Sequence, residues 1–339
     1  MEADSVENRL RKTWRALAEA TPSGTGWQTI ALSTENGRHF RAGILFPEKS
    51  EAVLVHFDLA EIPEDIALPN GKGFYLVNAG PLEGQSGLWM ALCRQPIGDS
   101  GMFLRMAADV LNVCSSAPED RKAEQELRGF VSRIAAWQNF MKRAGRPLSV
   151  PQQMGLCGEL EIFNDLLEAG VGPLSVLSFW QGPSDGLHDF VLPSGALEVK
   201  STVTPAKIRV SSAEQLDISI MDPLFLAVIN FSVDRDRGKT LAEYIDKIRQ
   251  KIWSNFSARQ IFDSLLLEMG ILIDNNSTNK YERFLLISKY FFEVNSDFPV
   301  LNRQNLPPEV VEIKYSLNTE SLERFSTSLS TILEKSGAC

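Results

Sequence analysis

The chain has 339 residues, 44% of them hydrophobic, a net charge of −9 and a pI near 5.1. That length supports two domains with cores of their own, and the acidic balance excludes a broad nucleic-acid-coating surface, so any such contact has to be local. No apolar run approaches the ~18 residues of a membrane span, the first dozen residues lack a basic-then-apolar leader, and Cys93, Cys114, Cys157 and Cys339 are far apart with no CxxC, which together predict a cytoplasmic chain with reduced thiols and no zinc site.

Residues 5 to 20 place Leu10, Trp14 and Leu17 on one side of an amphipathic helix that Thr21 and Pro22 end. From residue 27 to 92 the pattern changes to short β-rich runs such as HFRAGILF and AVLVHFDL, broken by Asn-Gly, Pro and Gly turns. This predicts a meander-like antiparallel β domain. It holds no catalytic constellation, and His56 and Asp58 alternate with Val55 and Phe57 as a solvent face. A helix over 101 to 115 packs on that domain, and SSAPED at 115 to 120 marks the boundary. The expected organisation is a β-rich N-terminal domain over 1–115 and a second domain over 116–339.

Within the second domain, residues 119 to 144 carry Leu127, Phe130, Ile134, Trp137 and Met141 at helical spacing. The next helix, 150 to 170, draws its apolar side from Leu156, Leu160, Phe163 and Leu167, with Glu159 beside that stripe and Glu161 toward solvent. A strand over 174 to 180, a hairpin over 188 to 200 and a strand over 207 to 210 follow. Residues 211 to 214 read as a capping box that opens a helix with Gln215 in its first turn. The apolar run 224 to 231 is a strand buried on both faces. Helices over 241 to 253 and 261 to 272, strands over 284 to 294 and 310 to 317, and a helix over 322 to 335 complete an α/β domain. Two stretches are locally basic: 121 to 147 has seven basic residues against two acidic, and 235 to 259 has seven against three. Each is a solvated helix face or a phosphate track.

The chemistry concentrates in LHDFVLPSGALEVKS, residues 187 to 201. Two apolar runs flank Pro193, Ser194 and Gly195, with Pro pre-setting φ and Gly supplying the awkward dihedral of the turn. In the tightest register Leu192 faces Gly195, which sets Phe190 opposite Leu197 and Asp189 opposite Glu198; a bulge at Gly195 would offset the pair by one residue. Opposed side chains lie roughly 4.5–5.5 Å apart at Cβ, so the two carboxylates can share one hard cation through oxygen. Lys200, two residues after Glu198, projects from the same face. Carboxylates that hold Mg²⁺ against a phosphate, with a lysine to stabilise charge on phosphorus, are what metal-dependent phosphodiester hydrolysis requires.

GLCGELEIFNDLLEAG at 155 to 170, SFWQGPSDGLHDF at 178 to 190, ALEVKST at 196 to 202 and IRVSSAEQLD at 208 to 217 follow one another in the order of the PD-(D/E)XK nuclease superfamily. Over residues 130 to 335 the chain resembles that superfamily's branch of bacterial defence and restriction-like nucleases. The resemblance implies a restriction-endonuclease-like core, a mixed sheet flanked by helices in an α/β (α+β) fold. It also implies a catalytic set of Glu159, Asp189, Glu198, Lys200 and Gln215, with Asp189, Glu198 and Glu159 binding Mg (or Mn). His188 stands where the superfamily's name has proline. The expected activity is Mg-dependent DNA endonuclease cleavage in anti-phage defence, with DNA, other proteins of a defence or restriction-like system and a second copy of the chain as partners, and no membrane. The alternative is a catalytically silent nuclease-like fold that serves as a DNA-binding or protein-interaction subunit. Gly182 to Gly186 matches GxSxG, but a strand rather than a helix follows it. Gly238-Lys239-Thr240 lacks the earlier glycine of a phosphate-binding loop, since residue 233 is Val.

Overall fold

The computed structural model describes residues 5–20, 25–32, 38–59, 61–82, 87–143, 148–182, 186–204, 206–272 and 282–338. The GxSxG serine, Ser184, lies outside the described residues. The chain forms two compact units, Met1–Ala144 and Gly145–Cys339.

In the first unit, helix α1 (Val6–Glu19) begins at Ser5, whose side chain accepts from the Asn8 amide, and buries Leu10, Trp14 and Leu17. Strands β1 (Gly26–Leu32), β2 (Phe40–Phe46), β3 (Ser50–Phe57), β4 (Phe74–Asn78) and β5 (Leu88–Arg94) form an antiparallel sheet in the order β1-β2-β3-β5-β4. The expected meander is therefore interrupted: β5 inserts beside β3 and leaves β4 at the edge, a detour that the connection over 58 to 73 makes possible. His56 is half-buried rather than on an open face, its ring centred 5.1 Å from that of Trp89. Helices α2 (Ser100–Ser115) and α3 (Ala123–Arg143) join this unit. Arg133 and Trp137 of α3 both donate to the Asp109 carboxylate of α2, at 2.7 Å each. The helix expected to open the second domain is thus tied by charge and hydrogen bonds to the first unit.

The second unit is built on a mixed six-stranded sheet. Its strands are β6 (Phe190–Val191), β7 (Ala196–Thr202), β9 (Leu224–Val233), β10 (Lys239–Thr240), β11 (Arg283–Val294) and β13 (Ser326–Thr327), in the order β10-β11-β9-β7-β6 with β13 also on β11. β7 and β9 run parallel and the other pairs antiparallel. A separate ladder joins β8 (Lys207–Val210) to β12 (Tyr315–Asn318). Leu197 and Val199 of β7 face a core shared with α4 (Val150–Glu168), α5 (Pro173–Phe179), α6 (Leu241–Lys251), α7 (Phe256–Glu268) and α8 (Leu329–Ser336). Ala196 faces the opposite core, with Leu226, Val228, Phe292 and Leu216.

Three expectations over this unit need correction. Residues 174 to 180 are the helix α5 and its end, because Pro173 starts the first turn and the Val176 and Trp180 amides bond back four residues. Residues 211 to 216 form turns, not a helix. The Gln215 side-chain oxygen takes the Ser211 amide at 3.0 Å, and Asp217 takes the Ser219 amide and hydroxyl, so local side-chain bonds replace the helical ladder. The final helix is shorter than expected, since Thr319–Phe325 is a 3₁₀ turn and Ser326–Thr327 pairs with β11 before α8 begins.

Candidate active site

The hairpin adopts the tight register. Phe190 pairs with Leu197, Val191 with Ala196, and the Leu192 amide bonds to the Gly195 carbonyl at 3.0 Å. Gly195 has φ +96°, and a Cβ there would meet the Pro223 carbonyl oxygen at 2.1 Å, so no other residue fits the turn without a shift. Asp189 sits just before β6. Its backbone oxygen accepts from the Gln181 amide at 2.9 Å, and its Oδ2 accepts from the Val199 amide at 2.7 Å. This bond fixes the aspartate over β7.

Glu198 and Lys200 alternate with Leu197 and Val199 and therefore project from the other face of β7. Glu198 is 1% exposed. Lys200 Nζ bonds to Glu198 Oε1 and donates to Gln215 Oε1 at 3.1 Å. Gln215 reaches the site from a turn rather than from a helix. Glu159 arrives from α4, and Trp180 Nε1 donates to its Oε2 at 2.8 Å. The indole is itself held by Phe163 and Phe262, with ring centroids 5.6 and 5.9 Å away. Next to Glu159, Gly158 lets α4 approach β7: a Cβ at that position would meet Ser201 Oγ at 2.0 Å.

All five residues singled out in the sequence thus occupy one neighbourhood, and two others join them. Trp180 orients Glu159, and His188, 3% exposed, places its Nε2 3.1 Å from the Gln215 backbone oxygen. His188 was visible as the departure from the motif. Trp180 gave no signal, because the pairing depends on how α5 ends. Glu161, expected at solvent, is instead 4% exposed and takes Lys289 Nζ at 3.0 Å and Lys247 Nζ at 3.3 Å, while Lys289 also bonds Asp165 at 2.7 Å. α4 is buried on most of its circumference, so even its polar positions need internal partners.

Burial governs the electrostatics. Desolvation and the nearby Asp189 charge push the Glu159 and Glu198 carboxyls up to about 8. Desolvation also raises Asp189, against Lys200 and the Val199 amide, which favour its charged form. Burial lowers His188. Among the described residues no three His, Cys, Asp or Glu side chains stand assembled as a metal-ligand set. The donor chemistry nevertheless suits a hard divalent cation: three mutually repelling carboxyl groups face one lysine, and Glu198 Oε2 is buried with no hydrogen-bond partner. Much of the local basic charge is already used. Arg249 pairs with Asp263, Lys251 with Glu168 and Arg237 with Asp234, while in the first unit Arg128 pairs with Asp65 and Glu124.

No helix among the described residues is long and apolar enough to cross a membrane. No curated protein and no solved structure matches the chain. A family model described as "Putative PD-(D/E)XK family member, (DUF4420)" matches residues 10–320, and with nearly the whole length covered the chain belongs to that family.

Proposed function

We propose that the chain is a Mg²⁺- or Mn²⁺-dependent hydrolase, a DNA endonuclease of restriction-like type that serves bacterial anti-phage defence. The observation that carries this reading is the pairing of Lys200 with buried Glu198, whose second oxygen is unclaimed, beside Asp189 and Glu159. Asp189, Glu198 and Glu159 would hold the cation, which when bound polarises a phosphoryl oxygen and strengthens its water as a nucleophile. Lys200 is held between Glu198 and Gln215. As the water oxygen bonds to phosphorus and the bond to the leaving sugar oxygen breaks, the lysine's charge stabilises the phosphoryl oxygens. Gln215 positions Lys200, and the Trp180 indole fixes the direction of Glu159.

DNA is the substrate, and other proteins of a defence or restriction-like system and a second copy of the chain are the partners this reading calls for. Purified protein incubated with supercoiled plasmid and Mg²⁺ or Mn²⁺, alone and with proteins encoded by neighbouring genes, is expected to nick or linearise the plasmid, and EDTA to stop it. Absence of cleavage in every combination would favour the silent, DNA-binding or protein-interaction alternative.

A further inference from the structure

The sheet face that carries Glu198 and Lys200 continues into a cavity of about 890 Å³, a volume in the range of small-molecule sites. Paired residues across neighbouring strands share a face, so this surface is a series of rows. One is Glu198, Leu226 and Phe292; the next is Lys200, Val228 and Tyr290; the third is Thr202, Asn230 and Ser288. The second row begins at the lysine, and the third lies on the cavity floor, about 6.4–6.8 Å further along the strands.

The lining has a definite chemistry. Tyr290 lines the cavity and is 49% exposed, and the register shift in β11 accompanies an Ile287 that is 60% exposed. Asn230 Nδ2 donates to Ser288 Oγ at 3.0 Å, while its Oδ1 is buried with no partner. Turning the amide over would pair the oxygen and orphan the nitrogen, so one hydrogen-bonding end is unmet in either orientation. Glu320 and Glu323, both exposed, line the cavity, and among the described residues no lysine or arginine does. An anion is disfavoured there. A planar, uncharged ring with hydrogen-bonding groups on its edge, one of them an amine that a carboxylate can accept from, is favoured.

We infer that this cavity takes a nucleobase bearing an exocyclic amine, turned out of the substrate strand next to the phosphate held at Lys200. The identity of the ring as a base rests on the nuclease reading above; the cavity and its chemistry do not. Enzymes that extrude a base read its edge by hydrogen bonds and its face by stacking, and Asn230 and Tyr290 supply one of each.

The test is saturation-transfer NMR on the full-length protein with deoxyadenosine, deoxycytidine, deoxyguanosine and thymidine, with inorganic phosphate as competitor. Transfer is expected to at least one amine-bearing nucleoside, undisturbed by phosphate. Loss of the stacking ring in Tyr290→Ala should weaken it about fivefold or more, and Asn230→Leu should do likewise. Tyr290 is half-exposed, so its variant keeps the fold, which a thermal unfolding midpoint verifies. No transfer from any amine-bearing nucleoside, or transfer unchanged in both variants, would overturn the inference, as would a dimer broken by Tyr290→Ala without nucleoside transfer, which would assign the surface to a second copy. Plasmid cleavage by the same preparation separates the two readings. Nucleoside binding without cleavage counts against the nuclease and for the cavity, whereas cleavage without nucleoside binding counts against the cavity alone.

Discussion

Glu198 is the residue whose environment is least comfortable without a ligand. It is almost wholly buried, one carboxyl oxygen has no partner, and burial, with the charge of Asp189 nearby, raises its pKa to about 8. A carboxyl raised in the folded state favours folding only while protonated. Its contribution is full below the ordinary value of 4.5 and is lost as pH rises through about 8. Metal-free protein in EDTA should therefore lose thermal stability as pH goes from 5 to 8. Glu198→Gln, which keeps the shape and removes one titration, should reduce that slope, with Glu159, also raised to about 8, supplying the remainder, and an unchanged slope in the variant would mean that Glu198 is not a responsible group.

At the scale of elements, the site depends on how closely α4 lies on β7. Gly158→Ala places a Cβ 2.0 Å from Ser201 Oγ, the end of a short side chain that can turn away, so the cost should fall at the lower end of the about 1–3 kcal/mol of overpacking. Since Glu159 is the next residue, cleavage should fall with stability. Removing the obstructing hydroxyl as well, in Gly158→Ala/Ser201→Ala, should restore both; calorimetric unfolding and a cleavage assay read the outcome. A second strut is the Lys289 bridge from β11 to Glu161 and Asp165. Breaking a fully buried pair costs about 3–5 kcal/mol, and because the Lys289 side chain is 23% exposed the loss in Lys289→Ala should be nearer about 2–3 kcal/mol, measurable by urea unfolding.

These struts also mark where the sequence could be read. The hairpin register was legible because turn chemistry and alternation are local and agree, from Pro193 to Gly195 and outward along both strands. Glu161 was not, since its cations stand 86 and 128 residues away, beyond any periodic pattern. Residues 174 to 180 fall on the seven-residue helix α5 and its end, and their apolar run fits either period; the Gly172-Pro173 start was the available signal. The 211 to 214 pattern matched a capping box, but Gln215 and Asp217 bond locally instead.

For the whole molecule, a net charge of −9 and the pairing of Arg237, Arg249 and Lys251 with acids leave only local attraction for DNA. A protein that neutralises six to ten phosphates loses about 10³–10⁵ in affinity between 50 and 200 mM salt. Here the loss should stay below about 10², measured by fluorescence anisotropy in Ca²⁺; a steeper dependence would place an extended phosphate track on the surface after all. The central claim concerns the division of labour in the site, carboxylates for the cation and lysine for the phosphate. Calorimetric Mn²⁺ titration of Asp189→Ala, Glu198→Ala and Lys200→Ala, read beside plasmid cleavage, tests it most directly. The account predicts that either carboxylate variant loses cation affinity and cleavage together, while Lys200→Ala keeps the cation and loses about 10²–10³ in rate. Loss of Mn²⁺ binding in Lys200→Ala with retention in Asp189→Ala would contradict it.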